Sequence, residues 1–234
     1  MNRKLALVGY GKMGKMIDQL APEYGLETVL RLDEFNNADS TGMTTENFSG
    51  VDVAIEFSTP HAVVGNIRDL TRLGVSTVVG TTGWGAELEA VRKLVDAAGI
   101  GFVWSPNFSI GVNVFNRVVA EAARLLANEP SYGAWAWEIH HNTKKDAPSG
   151  TLLQLVESMK NAGYDRIIDA SSNRAGSHPG THEIGFDSAA DTITLRHAAR
   201  SREGFARGAL KAAQWLAEGK RKGFYSFSEV LFGK

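Results

Sequence analysis

An α/β fold is predicted for this chain, with a parallel, helix-covered sheet first and a smaller α+β region after it. Three observations predict it. Short apolar runs alternate with stretches of helical periodicity from Lys4 to Trp104, the pattern of strands joined by covering helices. The first run, Lys4 to Val8, leads into Gly9-Tyr10-Gly11-Lys12-Met13-Gly14, a G-x-G-x-x-G turn between a strand and a helix. The alternation stops near Asn107, and a strand-like segment containing two tryptophans and two histidines follows later in the chain. These features predict a Rossmann-like dinucleotide-binding domain over residues 1–107. The segment 203–234, whose Trp215, Leu216, Phe224, Tyr225 and Phe227 call for a core to pack on, completes it. Residues 108–202 remain for the α+β domain.

The 234 residues suffice for one large core or two small ones. A hydrophobic content of 43% with only six prolines fits a soluble globular enzyme. The net charge of −1 gives no electrostatic reason to bind nucleic acid or an anionic membrane, and Lys220-Arg221-Lys222 reads as a solvated helix end. With no cysteine, disulfides, thiol nucleophiles and cysteine-ligated zinc are excluded. No apolar run approaches membrane-spanning length, and the chain enters its first strand at Lys4 with no signal peptide, so a cytoplasmic protein is expected. There are no internal repeats or low-complexity segments.

After the glycine turn, Met13, Met16, Ile17 and Leu20 recur at helical spacing until Pro22. In such a turn Gly9 permits the tight bend, Gly11 lets the backbone meet a pyrophosphate, and Gly14 allows close helix–strand packing. Gly9, Gly11, Lys12, Met13 and Gly14 are therefore candidate cofactor contacts. A second strand, Glu27 to Leu32, ends at Asp33, where an acid takes the ribose hydroxyls. Asn36 to Gly50 is polar and aperiodic, a loop or a short helix. Val51 to Phe57 is a third strand, followed by a helix carrying Val64, Ile67 and Leu70 and closed by Gly74. A fourth strand, Val75 to Val79, runs into Gly80-Thr81-Thr82-Gly83, and a helix with Leu88, Val91, Leu94 and Val95 ends at Gly99. The fifth strand, Gly101 to Trp104, leads through Ser105-Pro106-Asn107-Phe108-Ser109-Ile110-Gly111-Val112-Asn113 into a helix reaching Ala127.

The densest chemistry lies in Glu138-Ile139-His140-His141-Asn142-Thr143-Lys144-Lys145-Asp146-Ala147-Pro148-Ser149-Gly150-Thr151. The run-in from Ala134 alternates, so Glu138 and His140 share one strand face while Trp135, Trp137 and Ile139 share the other. The run-out to Ala162 carries Leu152, Leu153, Val156 and Met159 at helical spacing, with Thr151 and Gln154 fitting a capping box. A helix start offers free N–H groups and positive dipole, so Ser149-Gly150-Thr151 suits a carboxylate or phosphate, with Lys144 and Lys145 beside it. His140 or His141 can deliver a proton near neutral pH. A polar loop with two satisfied histidines is the plain alternative; the convergence of imidazoles, lysines and an anion-ready turn favours a site.

Further on, Ile167 to Ala170 is a strand candidate, and Glu183 to Phe186 can pair with Thr192 to Leu195 around Asp187–Asp191. Arg202 stands at the start of a helix running to about Glu218.

The central stretch resembles the signature Glu-x-His-His-x-x-Lys-x-Asp-Ala-Pro-Ser-Gly-Thr of the 4-hydroxy-tetrahydrodipicolinate (dihydrodipicolinate) reductase family of lysine and diaminopimelate biosynthesis. Leu152 departs from that family's usual Ala. Gly80-Thr81-Thr82-Gly83 resembles its Gly-Thr-Thr-Gly, Ser105 to Asn113 its Ala-Pro-Asn-Phe-Ser-x-Gly-Val-Asn, and Arg196 to Arg202 its His-x-Ala-x-Ser-Arg. The shortened segment Arg174 to Ile184 resembles a glycine-rich family segment, and no catalytic role is carried onto it.

The resemblance implies hydride reduction of 4-hydroxy-tetrahydrodipicolinate with loss of water, by a cytoplasmic homotetramer assembled through its middle sheet, with no metal. It implies His140 as proton donor and Lys144 as stabiliser of developing charge. His141, Ser149, Gly150, Thr151 and Arg202 would hold a dicarboxylate substrate. Thr81 and Thr82 with Gly80, and Ser105, Asn107 and Phe108, would approach the nicotinamide half of NADH or NADPH. Where the family often has an arginine after its ribose acid, this chain has Glu34, which tilts the expectation modestly towards NADH, with Lys12 and Arg31 opposing. Two other readings are another two-domain NAD(P)-dependent dehydrogenase, and a non-catalytic dinucleotide sensor that uses its second domain for protein contacts.

Overall fold

A computed structural model describes residues 2–219 and 221–233, so Lys220 of the basic run lies outside the described residues. In chain order the first elements are β1 (Arg3–Val8), α1 (Lys12–Leu20), β2 (Leu26–Leu32), β3 (Val53–Glu56), α2 (Val63–Arg72), β4 (Thr77–Val79), α3 (Leu88–Ala98) and β5 (Gly101–Trp104). Next come α4 (Ile110–Leu126), β6 (Gly133–His140), α5 (Gly150–Asn161), β7 (Ile168–Arg174), β8 (Thr181–Asp187) and β9 (Thr192–Ala198). The last are α6 (Glu203–Gly219), β10 (Gly223–Ser226) and α7 (Phe227–Phe232). They form two compact units, Met1–Ser109 with Phe205–Lys234, and Ile110–Gly204.

The first unit holds a six-stranded sheet in the order β10-β5-β4-β3-β1-β2, parallel throughout. Its central strands are buried along their length, which is why Val53-Ala54-Ile55 and Thr77-Val78-Val79 read as continuous rather than alternating runs. Burying each such Val or Ile side chain is worth about 1.5–3 kcal/mol. The segment between β2 and β3 is irregular, yet Met43 and Phe48 anchor it by packing with Leu32, Ala54 and Leu70. β10 is a strand that the sequence pattern does not predict. It pairs with β5, and Phe224 stacks on Phe102 with ring centroids 4.9 Å apart.

The second unit holds a sheet in the order β7-β6-β8-β9, with β6 parallel to β7 and the other pairs antiparallel. α4 and α5 cover one face. Phe115, Val119 and Ala123 meet Leu152, Leu155 and Met159 there, above Ala134, Ala136, Ile184 and Phe186. The alternation of β6 therefore sends Ala134, Ala136, Glu138 and His140 under the helices. Trp135, Trp137 and Ile139 stay half-buried on the opposite face, where the Trp135 ring occupies the space a side chain at Gly185 would need.

Two expectations about α5 are corrected. Its N-cap is Ser149, whose hydroxyl accepts from the Leu152 N–H at 3.2 Å, so Thr151 and Gln154 form no capping box. Leu153 is exposed, and Leu155 takes its place in the buried stripe, because the packed face is Leu152, Leu155, Val156 and Met159 at i, i+3, i+4 and i+7, which turns Leu153 about 100° away. Likewise Leu94 of α3 lies on the exposed side, leaving Val91 and Val95 to the core.

Candidate active site

In the first unit the strand order reverses between β1 and β3, the point at which open parallel sheets bind ligands beyond their strand ends. A cleft of about 880 Å³ opens there, lined by Gly9, Gly11, Lys15, Asp33, Ser58 and His61 among others. Gly9 has φ of +98°, and a Cβ on it would stand 2.1 Å from the Phe57 carbonyl oxygen, so the turn requires glycine. Nothing lies within 4 Å of a Cβ built on Gly11, which leaves its backbone open to a ligand, and Gly14 is held so close to the Gly9 carbonyl that it too must lack a side chain. Lys12 is exposed and Met13 half-buried on α1, and the lysine lining the cleft is Lys15. Asp33 accepts from the Phe35 N–H at 2.9 Å and the Asn36 N–H at 3.2 Å through one oxygen. That fixes the rim turn while leaving its second oxygen uncommitted to it. An open glycine backbone, a lysine and a rim carboxylate fit the pyrophosphate and ribose of a dinucleotide.

The other candidates of this unit serve largely to hold its loops. Thr81 Oγ1 accepts from the Ser58 N–H at 2.9 Å, and the Phe57 ring fills the space that a side chain at Gly80 would need; Thr82 is exposed. Ser105 Oγ bonds the Asn107 carbonyl at 2.8 Å, and Asn107 Oδ1 accepts from the Ser109 N–H at 2.9 Å. The Phe108 ring is buried against Phe57 and Phe227, which leaves its backbone to face a ligand. A residue that no motif flagged is Glu56, fully buried at the end of β3. Its Oε1 accepts from Ser58 N–H and Asn66 Nδ2, while Oε2 has no hydrogen-bond partner. Burial pushes its carboxyl up, against the opposing hydrogen bonds of Ser58 and Asn66.

In the second unit the chemistry gathers on the helix-covered face of the sheet. Ser172, Glu138, His182 and His197 occupy one cross-strand row over β7, β6, β8 and β9. Glu138 is fully buried. Its carboxylate accepts from the Ser149 N–H at 2.8 Å, the Ser149 hydroxyl, the Ser172 hydroxyl at 3.0 Å and Arg174 Nη2 at 2.9 Å. Burial raises the Glu138 carboxyl, but these bonds outweigh it and hold the group below the ordinary carboxylate range. His140 Nδ1 lies 3.5 Å from Glu138 Oε2, and His182 Nε2 lies 3.3 Å from the same oxygen. Burial lowers the affinity of His140 for a proton; Glu138 opposes this, while Lys144 and Arg174 reinforce it. His182 is pushed down to about 4, first by burial and then by His140, so it is neutral at pH 7. Glu138, His140 and His182 bring metal-competent atoms within 4.8 Å of one another. The carboxylate is already saturated by donors, Arg174 included, which marks a hydrogen-bonded cluster.

Ser149 is thus corrected from a ligand contact to a structural tie, since both its N–H and its hydroxyl point at Glu138. Lys144 pairs with Asp146 at 2.8 Å, and this pairing holds the Asp146 carboxyl below its ordinary value. His141 Nδ1 lies 2.7 Å from the Thr143 hydroxyl, and Thr151 is half-buried in the first turn of α5. Arg202 is exposed at the bend before α6, outside the Glu138 network. Ser172, Arg174, His182 and His197 are the members that sequence reasoning missed. The alternation of His182, Ile184 and Phe186 was visible, but not the strand that it faces.

Fold and site together define an oxidoreductase of the Rossmann type with a second, α+β unit. The family description "Dihydrodipicolinate reductase, N-terminus" matches residues 3–108, and "Dihydrodipicolinate reductase, C-terminus" matches residues 111–231. The chain is 33% identical to the 4-hydroxy-tetrahydrodipicolinate reductase of Christiangramia forsetii, covering 97% of each chain. It is 35% identical to that of Methanosarcina barkeri, over 95% of this chain and 82% of the relative. Among solved structures, dipicolinate-bound dihydrodipicolinate reductase from Paenisporosarcina sp. TG-14 shares the fold. Its TM-score is 0.77 at 22% identity, covering 98% of this chain and 99% of that one. The chain belongs to the dihydrodipicolinate reductase family, and its function is the reductase function of that family.

Proposed function

We propose that the chain reduces 4-hydroxy-tetrahydrodipicolinate, with loss of water, to tetrahydrodipicolinate in lysine and diaminopimelate biosynthesis. A nicotinamide dinucleotide bound in the cleft of the first unit supplies the hydride. Gly9, Gly11, Gly14 and Lys15 would hold its pyrophosphate, and Asp33 its ribose. His140 donates the proton that the substrate must gain. Lys144 stabilises developing negative charge, and Thr151, the Gly150 N–H, His141 and Arg202 grip the two carboxylates.

The observation that carries the reading is His140, set beside a buried carboxylate within a stretch that matches the family signature at every chemical position. Oxidation of the reduced cofactor, followed in a cuvette with enzymatically generated substrate, tests it. His140→Gln should cut turnover by about two to four orders of magnitude with cofactor affinity nearly unchanged. A sensor would show cofactor binding without turnover, and a different dehydrogenase would be inert towards this substrate.

NADH is the favoured cofactor, supported by Glu34 on the cleft rim and by Arg31, which is paired elsewhere. The assembly is a cytoplasmic homotetramer formed through the four-stranded sheet; the half-buried Trp135 and Trp137, on the face opposite α4 and α5, support the assembly through that sheet. Sedimentation equilibrium tests that assembly. No helix among the described residues is long and apolar enough to cross a membrane.

A further inference from the structure

We propose that Glu138 is a positioning residue for His140, holding its imidazole in the Nδ1–H form so that Nε2 is the nitrogen that exchanges the proton. The kinetic part of this inference rests on His140 being the proton donor; the tautomer is a property of the resting protein and does not.

The geometry leaves little alternative. His140 Nδ1 is buried, has no hydrogen-bond partner, and lies 3.5 Å from Glu138 Oε2. An ionised carboxylate only accepts. A lone pair on Nδ1 would place two acceptors face to face out of water, whereas an N–H there is attracted. The tautomer of a histidine follows from what its inner nitrogen faces. The other groups around the ring do not reverse this. From β8, neutral His182 meets His140 edge to face, ring centroids 5.0 Å apart. From β7, Arg174 is turned to Glu138 Oε1. From the loop after β6, Lys144 and Asp146 pair with each other at 2.8 Å.

The outer edge of the ring is kept clear by a different residue. A Cβ on Gly180 would stand 3.0 Å from both Cδ2 and Nε2 of His140, and the Gly180 φ of +135° disfavours any side chain. A protonated His140 that gives up its Nε2 proton is left as the Nδ1–H ring, the neutral form that the carboxylate favours. The carboxylate therefore stabilises both the acid and the base that remains, the service an orienting acid performs for a catalytic histidine. Its charge also raises the affinity of His140 for a proton, offsetting part of the burial effect.

Nitrogen-15 NMR of the full chain labelled at histidine, recorded at pH 8 without cofactor or substrate, reads the tautomer directly. His140 is assigned by the resonances missing from His140→Gln. We expect Nδ1 protonated and Nε2 bare. In Glu138→Gln the amide NH₂ would take the place of Oε2 and donate to Nδ1, so His140 should flip to the Nε2–H form. In the same variant kcat should fall by about 100-fold, the usual cost of a misplaced catalytic group. The pKa above which activity is lost should also fall, with the KM for cofactor unchanged. A wild-type His140 in the Nε2–H form overturns the proposal, as does a Glu138→Gln protein that keeps the wild-type tautomer and pH profile. If Glu138→Gln fails to fold, the wild-type tautomer still decides. A different substrate would abolish the kinetic readout and leave the tautomer intact, so the two failures are separable.

Discussion

Arg31 is turned back onto Asp18: its Nε lies 2.7 Å from Oδ2 and its Nη2 lies 2.8 Å from Oδ1. The Tyr10 hydroxyl donates to the same carboxylate. Burial raises Asp18, but Arg31 and Tyr10 together outweigh that and hold it below its ordinary value. A two-pronged pair of this kind fixes the guanidinium plane. The cation that would otherwise meet a ribose 2′-phosphate is therefore engaged on α1, while Asp33 and Glu34 remain on the rim. NADH should be favoured over NADPH by about 3- to 30-fold in kcat/KM, or about 0.7–2 kcal/mol. Asp18→Asn should release Arg31 and raise the constant for NADPH, and Glu34→Arg should narrow or reverse the preference. Both cofactors, compared at fixed ionic strength, decide it; a wild-type preference for NADPH would refute this account of the ribose site.

Lys144, expected to meet a substrate carboxylate, is already paired with the carboxylate of Asp146. Substrate must displace it. Because Asp146 is more than half exposed, the competition is weak, and Asp146→Asn should lower the KM for substrate by about two- to fivefold, the scale of an exposed ion pair. The KM for cofactor should stay fixed. A higher substrate KM in this variant would mean that Asp146 orients Lys144 rather than competing for it.

Arg202→Ala and Thr151→Ala should each weaken substrate binding by about 1.5–3 kcal/mol, the value of a hydrogen bond to a charged group, and leave cofactor binding alone. Steady-state kinetics report this, and an unchanged substrate KM in both variants would remove these two residues from the site.

The depressed pKa of His182 makes stability depend on acid. Above pH 6.5 the ring is neutral folded or unfolded, so it has no effect. Between pH 6.5 and about 4 the unfolded chain binds a proton that the native fold refuses, and stability falls as pH falls, by about 3 kcal/mol in all. His140 and His197 are lowered as well and act with the same sign. Urea unfolding at pH 7 and pH 4.5 should show His182→Gln losing less stability on acidification than wild type; equal losses would contradict the assignment.

Glu56 acts in the opposite direction. Its folded-state pKa is raised, so the stability it contributes is complete below pH 4.5 and is lost as pH rises through the folded value. Glu56→Gln can keep accepting from Ser58 and Asn66 without the burden of a buried charge. It should match wild type at pH 5 and exceed it at pH 8 in chemical unfolding. A variant less stable than wild type at both pH values would show that Oε2 has a role the amide cannot fill.

The first sheet was legible because its strands and helices are set by runs of a few residues, from Val8 and the glycine turn to Gly101 and Trp104. β10 was not, because Gly223-Phe224-Tyr225-Ser226 is half-buried on all four residues and becomes a strand only through β5. The site divides in the same way. His140 and Glu138 were placed on one face by strand alternation, a local rule. Ser172, Arg174 and His182 lie 34 to 44 positions beyond Glu138 in number and reach it through ladders that no local pattern encodes. Ser149 was misassigned for a related reason: the pattern around α5 offered Thr151 as its cap, while the partner of the Ser149 hydroxyl stands at Glu138.

The first unit is written in two pieces of chain, with the whole of the second unit spliced between them. On the ribosome, β1 to β5 emerge long before α6, β10 and α7 exist. Until Gly223–Ser226 have emerged, β5 is a bare margin with Phe102 lacking the ring of Phe224, while residues 110–204 already hold every strand of their own sheet. The strand that carries His140 can therefore pair during synthesis, before the first sheet gains β10 as its last strand. A nascent chain stalled before Gly223 would display a sticky strand margin to chaperones and to other unfinished copies of itself.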